Sequence, residues 1–147
     1  MTRIYMAGRK VFVDTGAWIA LAVSRDQHHE RAKTIFEAII ANGSEQITSN
    51  LIVSETYTFL RYHVSYNAAV RFLGSIREAE KMRFLHVLYS TPSLENEALG
   101  VIRKYRDHAL SYVDAVSFVI LERQPEITDV FAFDAHFYLT ARNVIQV

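Results

Sequence analysis

The chain has 147 residues, half of them hydrophobic and 22% charged, with 16 basic and 16 acidic side chains. This composition excludes a disordered chain, and the zero net charge gives no electrostatic reason for nonspecific binding to nucleic acid. The absence of cysteine excludes disulfides, thiolate metal sites and cysteine nucleophiles. No apolar run approaches the roughly 18 residues of a membrane helix. Residues 1–23 contain no convincing signal-peptide cleavage site, so we expect a cytoplasmic protein.

Apolar spacing and turn residues predict that the first half of the chain alternates short strands with amphipathic helices. In chain order the expected elements are a loose lead-in over residues 1–9, a strand over 10–13, an apolar segment over 18–23, a helix that ends at Asn42-Gly43, a strand around Ile47, and a helix capped by Ser49 or Asn50. The last of these helices is expected to bury Ile52, Thr56, Phe59 and Leu60.

The second half continues the same alternation. The expected elements are a helix over 66–80, a strand over 83–88, a helix that starts at Thr91-Pro92, a helix from Ser111 to Gln124, a strand over 130–133, a short helix over 135–141, and a strand over 144–147. Strands that alternate with helices predict a parallel sheet covered on both faces, which is a three-layer α/β domain. No repeat or linker divides the chain, so residues 1–147 are expected to form one domain.

Four carboxylates interrupt apolar runs, and they are the most informative feature of the sequence. They are Asp14 in VFVDTGAW, Glu55 in LIVSETYTFL, Asp114 in YVDAVSFVIL and Asp134 in VFAFDAHFYL. Burying an ionised carboxylate is costly unless a cation or hydrogen-bond donors compensate it. Clustered carboxylates are stabilised by a bound divalent metal, and an oxygen-rich site favours Mg²⁺ or Mn²⁺.

Two of these acids follow predicted strands. Asp14 and Asp134 would meet at one edge of the sheet if their strands are neighbours, because active sites of parallel sheets lie at the carboxyl ends of strands. Taken alone, Asp14 is explained equally well as a helix N-cap or turn residue, and for Asp134 alone the N-cap is the favoured interpretation.

The other two acids lie on predicted helices. Glu55 is one turn from Leu51 and from Phe59, which predicts that it belongs to the apolar face. Asp114 follows Ser111 by three residues, the spacing of a capping box. Because Phe118 lies one turn further on, Asp114 is also expected on a buried side, and both roles are compatible.

Other motifs are weaker. Asp14-Thr15-Gly16 matches the signature of aspartic proteases, but those enzymes are β-rich and this chain is mostly helical in pattern. His28 and His29 are expected at a solvated helix start. His136 is two residues from Asp134, so it could contact a substrate bound at that acid. The default interpretation is a partly exposed surface histidine.

Taken together, the ordered motifs VFVDTGAWIAL, SNLIVSETYTFL, LSYVDAVSFVIL and VFAFDAHFYLTARNVIQV resemble a PIN domain, over about residues 10–147. The resemblance implies a three-layer α/β/α domain with a central parallel sheet of about five strands, and metal-dependent ribonuclease activity. Many single-domain members of this length are VapC toxins of toxin–antitoxin pairs.

The resemblance also implies roles for individual residues. The catalytic, metal-binding acids would be Asp14, Glu55, Asp114 and Asp134, with Mg²⁺ or Mn²⁺ as cofactor. Substrate contacts would come from Thr15, Ser111 and His136. One departure is Ala135, where many relatives carry a basic residue.

The expected function is therefore an endoribonuclease that cuts single-stranded or loop RNA and acts as the toxin of a type II pair, with a cognate antitoxin and a homodimeric state. One alternative is a PIN-type RNA-processing nuclease without an antitoxin. Another is a nonenzymatic RNA- or protein-binding module whose acids are only caps. Candidates for a dimer or antitoxin contact are Ile52, Tyr57, Phe59 and Tyr62, although core packing explains most of them.

Overall fold

The computed structural model describes residues 8–146, and a five-stranded parallel sheet forms its centre. The strands are β1 (Lys10–Val13), β2 (Glu45–Ser49), β3 (Leu85–Leu88), β4 (Ile127–Phe131) and β5 (Asn143–Ile145). Their order across the sheet is β3-β2-β1-β4-β5, and every neighbouring pair is parallel. The predicted parallel sheet of about five strands is confirmed. This architecture is not that of the β-rich aspartic proteases, so the Asp-Thr-Gly interpretation is wrong.

Six α-helices and one 3₁₀ helix connect the strands in the described part of the chain. They are α1 (Thr15–Ala22), α2 (His29–Ala41), α3 (Asn50–His63), α4 (Tyr66–Lys81), α5 (Pro92–Lys104), α6 (Tyr112–Arg123) and the 3₁₀ helix Ala135–Leu139. Helix α1 packs on α2 and α3, and α3 packs on α4, whereas α5 and α6 pack on each other. Right-handed crossovers put α1–α4 on one face of the sheet and α5–α6 on the other. The three-layer prediction is confirmed.

Side-chain caps fix where the helices begin, which explains why their starts were predictable. The hydroxyl of Ser49 accepts a hydrogen bond from the backbone N–H of Ile52 at the start of α3. Thr91 does the same for Leu94 at the start of α5, where Pro92 occupies the first turn. A cap depends on residues three apart in the chain, so local sequence is enough to identify it.

The fourth strand differs from its prediction. It starts at Ile127 instead of residue 130 and ends at Phe131, so two further residues separate it from Asp134. Its first half contains the polar residues Thr128 and Asp129, so the sequence there lacks the apolar run by which a buried strand is predicted. The short helix predicted over 135–141 is a 3₁₀ helix that ends at Leu139. The last strand covers Asn143–Ile145, and the final predicted residue, Val147, lies outside the described residues.

The buried line of α3 also differs from its prediction. Ile52, Thr56 and Leu60 are fully buried, but Phe59 is 37% exposed. Thr56 is tolerated there because its hydroxyl donates to the carbonyl of Ile52. Glu55 is therefore half-buried at the edge of the apolar face rather than at its centre. Ile52 is excluded as a surface contact, whereas Tyr62 is 79% exposed.

A buried aspartate joins three segments near the amino-terminal end of the sheet. Asp129 is fully buried and accepts hydrogen bonds from Arg9 at 3.0 Å, Asn143 at 2.7 Å and Thr128 at 2.9 Å. The carbonyl of Arg9 also accepts a hydrogen bond from the backbone N–H of Glu45. Arg9 is thus attached to the sheet, and the loose lead-in predicted over 1–9 is wrong for this residue. Residues 1–7 of that prediction lie outside the described residues.

Candidate metal centre at the carboxyl edge of the sheet

The two central strands bring their carboxyl ends to one place. β1 pairs with β4, and Val13 is opposite Phe131 in the register. The backbone N–H of Asp14 donates to the carbonyl of Phe131 at 3.1 Å. Since β2 lies on the other side of β1, this edge is a topological switch point, where open parallel sheets bind ligands. Asp14 and Asp134 both follow strands that end here.

Asp14 is buried, and no cationic side chain within residues 8–146 compensates its charge. It is only 4% exposed, and although it precedes α1 its side chain makes no capping hydrogen bond. Burial raises the pKa of Asp14 to about 8, with further contributions from the charges of Asp114, Asp134 and Glu55 and partial opposition from the N–H of Thr15. Asp14 is therefore the N-cap residue of α1 by position, as one prediction had it, but its carboxylate does not cap the helix. An acid held in this way favours a bound cation.

Asp114 caps a helix and faces the same cluster. It is 7% exposed and forms a capping box with Ser111: its carboxylate accepts from the Ser111 N–H at 3.2 Å, and the Ser111 hydroxyl accepts from the Asp114 N–H at 3.0 Å. Burial raises the pKa of Asp114, and the charge of Asp134 adds to this, whereas the Ser111 N–H and the His136 imidazole oppose it. The predicted capping spacing is confirmed, and it does not remove Asp114 from the cluster.

Asp134 and His136 are held together by the 3₁₀ helix. The half-buried carboxylate of Asp134 caps this helix by accepting from the His136 backbone N–H at 2.8 Å. Nδ1 of His136 lies 3.2 Å from an oxygen of Asp134 and 3.5 Å from an oxygen of Asp114. One ligand atom from each of these three residues falls within 4.8 Å of the others. They can hold one metal ion between them.

Glu55 completes the set from the other helical layer. It is half-buried on α3, and its charge contributes to the raised pKa of Asp14. The structure therefore brings all four sequence-predicted acids to one edge of the sheet, and their catalytic and metal-binding roles stay predictions.

The residues expected to contact substrate are placed differently from one another. Thr15 is 8% exposed, and its hydroxyl is buried with no hydrogen-bond partner among residues 8–146. Ser111 is exposed, and its hydroxyl is engaged in the cap of α6. His136 lies among the acids rather than on an open surface.

A stacked pair of rings beside this edge has no counterpart in the sequence predictions. The ring of His28 lies parallel to that of Phe133, with centroids 4.3 Å apart and planes inclined by 2°. Nδ1 of His29 contacts the carbonyl of Ala20 at 2.7 Å. The two histidines lie at the start of α2, as predicted, but both are half-buried rather than solvated, because the loop before α2 packs on the segment that carries Asp134. No local spacing links residues so far apart in the chain.

Comparison with known proteins agrees with this geometry. The family model of the PIN domain matches residues 11–143. The chain belongs to the PIN domain family. The 23S rRNA-specific endonuclease VapC20 of Mycobacterium tuberculosis, found with the same identity in strains CDC 1551 and H37Rv, is 33% identical over 127 residues, which cover 86% of this chain and 91% of that protein.

Two solved structures show the same fold. The crystal structure of M. tuberculosis VapC20, described as a sarcin-ricin loop cleaving toxin, superposes with a TM-score of 0.77 at 28% identity and covers 90% of this chain and 95% of that one. The structure of FitAB bound to DNA gives a TM-score of 0.62 at 16% identity, covering 91% and 92% of the two chains. At that identity the second likeness supports the fold alone.

The donor set of this PIN domain fits a divalent cation. Its carboxylates supply hard oxygen ligands, and burial together with the charges of the neighbouring acids raises the pKa of Asp14. Nδ1 of His136 lies beside two of these carboxylates, and in the neutral ring that carries its proton on Nε2 this nitrogen can bind a cation. Separately, none of the helices within residues 8–146 is both long and apolar enough to cross a bilayer.

Proposed function

We propose that this PIN domain is a metal-dependent endoribonuclease and the toxin of a type II toxin–antitoxin pair. The observation that carries the proposal is the convergence of Asp14, Glu55, Asp114 and Asp134 at the switch point of the sheet, where burial and the charges of the other three acids raise the pKa of Asp14. The 33% identity to a 23S rRNA-specific endonuclease, over 91% of its length, supports the same activity.

Each acid has a role that its surroundings support. Asp14 and Asp114, the two most buried, would bind Mg²⁺ or Mn²⁺ directly, and Glu55 and Asp134 would complete the site directly or through water. The cation supplies a lowered pKa for bound water and neutralises charge on the scissile phosphate. Of the four, Glu55 and Asp134 are the more exposed and are better placed to accept a proton from the attacking water. The unpartnered hydroxyl of Thr15 can donate to a phosphate oxygen.

The substrate we propose is a loop of 23S ribosomal RNA. The VapC20 comparison names both the 23S rRNA and the sarcin-ricin loop as targets of that relative. Loops expose the base edges that sequence-specific RNA proteins contact, which suits an enzyme with no net charge for holding long duplexes. A ribosomal substrate also implies action in the cytoplasm.

The first prediction tests the acids directly. Asp14→Asn and Asp114→Asn are expected to reduce cleavage of purified ribosomes or a 23S hairpin to background, because each removes a cation-binding charge. Primer extension would locate and quantify the cut, with EDTA as a second way to abolish it. Asp107→Asn is a matched control, since Asp107 is an exposed aspartate just before α6. Undiminished cleavage by either cluster variant would contradict the assignment.

The same experiment separates the alternatives. A nonenzymatic module would bind neither Mg²⁺ nor Mn²⁺ and would show no EDTA-sensitive cleavage. A processing nuclease without an antitoxin would cleave RNA but would not be neutralised by the product of a neighbouring upstream gene.

An apolar groove supports the antitoxin part of the proposal. It has a volume of about 460 Å³ and lies between α1, α2 and α4. Its lining includes Trp18, Leu21, Phe36, Phe72, Ile76 and the exposed cation Arg71. We propose that an apolar antitoxin segment with an acidic residue opposite Arg71 occupies this groove, because that segment matches both the apolar wall and the charge.

The second prediction tests this groove. Ser75→Glu adds a carboxylate one helical turn from Arg71 and is expected to weaken antitoxin binding at least about tenfold, because it pairs with Arg71 and repels the acidic residue proposed to lie opposite that arginine. Asn96→Glu adds the same charge to an exposed position on α5, in the opposite layer, and serves as the control. Calorimetry with the purified antitoxin measures both affinities. Equal affinities for the two variants would exclude the groove.

The homodimer stays a prediction. Light scattering of the purified chain measures its mass in solution, and a monomer at micromolar concentration would contradict it.

A further inference from the structure

The imidazole of His136 lies beside the proposed metal site, but the roles proposed for the four acids do not involve it. Its Nδ1 atom is buried and lies 3.2 Å from Asp134 and 3.5 Å from Asp114. Both carboxylates lie within ion-pair distance of this nitrogen, although neither contact meets strict hydrogen-bond geometry. A nitrogen placed between two carboxylates can hold them through its own proton or through a cation that all three share.

The separations match those between ligands of one metal ion. Octahedral ligands at about 2.0–2.1 Å from an ion, at right angles to each other, are roughly 3 Å apart. The nitrogen of His136 stands at nearly this separation from one oxygen of each aspartate, and ligand atoms of the three residues fall within 4.8 Å of one another. A small closure of the side chains would place all three on one cation.

The backbone around His136 holds the ring in place. The backbone N–H of His136 donates a hydrogen bond to the carboxylate of Asp134, which holds the residue beside the carboxylate that its ring faces. The next residue, Phe137, is fully buried and packs edge-on against Phe118 of α6, with centroids 5.6 Å apart. The ring of His108 meets the ring of His136 at 89°. A ligand held by packing in this way has little conformational freedom to lose on binding.

We propose that His136 is a metal ligand through Nδ1, together with Asp114 and Asp134, and that it makes this site prefer Mn²⁺ to Mg²⁺. The inference rests on the metal centre of the proposed function and gives His136 a role other than the substrate contact expected from the sequence. Mg²⁺ takes oxygen ligands and keeps its waters, whereas a first-row transition ion accepts an imidazole nitrogen readily.

The test is Mn²⁺ binding to the metal-free full chain, followed by pulsed electron paramagnetic resonance. We expect a nitrogen coupling to Mn²⁺ that changes when the histidines are labelled with ¹⁵N and disappears in His136→Gln. We also expect that variant to bind Mn²⁺ at least about tenfold more weakly with little change for Mg²⁺. His86→Gln, an exposed histidine on β3, is the control and should retain both the coupling and the affinity.

The wild-type spectrum decides the inference even if His136→Gln folds poorly. Mn²⁺ bound without a histidine coupling would overturn the role of His136 and leave the proposed function intact. Equal affinities of the wild type for Mn²⁺ and Mg²⁺ would overturn the preference. Failure to bind either ion would overturn both this inference and the metal dependence of the proposed nuclease.

Discussion

Two buried aspartates on neighbouring strands have opposite surroundings. Asp129 is fully buried, and three donors, from Arg9, Thr128 and Asn143, compensate it. Asp14 is buried almost as completely, but the charged groups that act on it are other acids. Burial alone therefore does not identify a functional carboxylate. The difference lies in pairing: Asp129 is surrounded by hydrogen-bond donors, whereas Asp14, under the proposed function, leaves its charge for a metal ion.

The largest expected effect is on pH dependence. The pKa of Asp14 is raised from 3.8 to about 8, so between these values the folded chain keeps a proton that the unfolded chain releases. Stability of the metal-free protein is then fully present below about pH 4 and falls as pH rises towards 8, by up to about 1.4 kcal/mol per pH unit from this group.

Urea unfolding in EDTA between pH 5 and 8 measures this slope. Asp14→Asn should flatten it, and Mn²⁺ should restore stability to the wild type at pH 8, because a bound cation favours the ionised carboxylate. A wild-type stability that rises with pH throughout this range would contradict the assignment of an uncompensated acid.

A smaller effect is expected at the paired aspartate. Asp129→Asn removes the charge that Arg9 faces and one acceptor of the buried network, which should lower the free energy of unfolding by about 1–3 kcal/mol. RNA cleavage by the folded variant should persist, since the network is near the opposite end of the sheet from the acids. Asp129→Asn should therefore lose stability and keep cleavage, whereas Asp14→Asn should lose cleavage. Thermal unfolding measures the stability, and primer extension measures the cleavage. If Asp129→Asn lost cleavage at unchanged stability, the contrast between a structural Asp129 and a functional Asp14 would be wrong.

The smallest effect concerns Arg9 alone. Its side chain is 43% exposed, so water screens its ion pair with Asp129. Arg9→Met is expected to lower the free energy of unfolding by no more than about 1 kcal/mol, because Asn143 and Thr128 still donate to the carboxylate. A loss larger than that of Asp129→Asn would show that the arginine, rather than the whole network, compensates the buried charge.

The contrast also explains what the sequence could predict. Asp14 and Asp114 stood out because each interrupts an apolar run, and the Ser111 cap was readable because its partners are three residues apart. Asp129 gave no such signal. It made the start of β4 look unlike a strand, because the residues that compensate it come from positions 9 and 143.

Tertiary contacts limited the prediction elsewhere too. The depth of Glu55 depends on which side of α3 its neighbouring helices cover, and the stack of His28 on Phe133 joins segments far apart in the chain. The position of the His136 nitrogen became visible only when the 3₁₀ helix placed it beside Asp114.

The layered fold has a consequence for when the enzyme becomes active. Asp14 and Glu55 come from the part of the chain that forms α1–α4, whereas Asp114 and Asp134 come from α6 and from the segment after β4. A chain still being synthesised carries the first pair long before the second. The acid set is complete only once β4 has inserted beside β1, so under the proposed function an unfinished polypeptide lacks half of its catalytic acids. Under the proposed function, the order of the four acids along the gene delays the toxin's activity until translation is nearly finished.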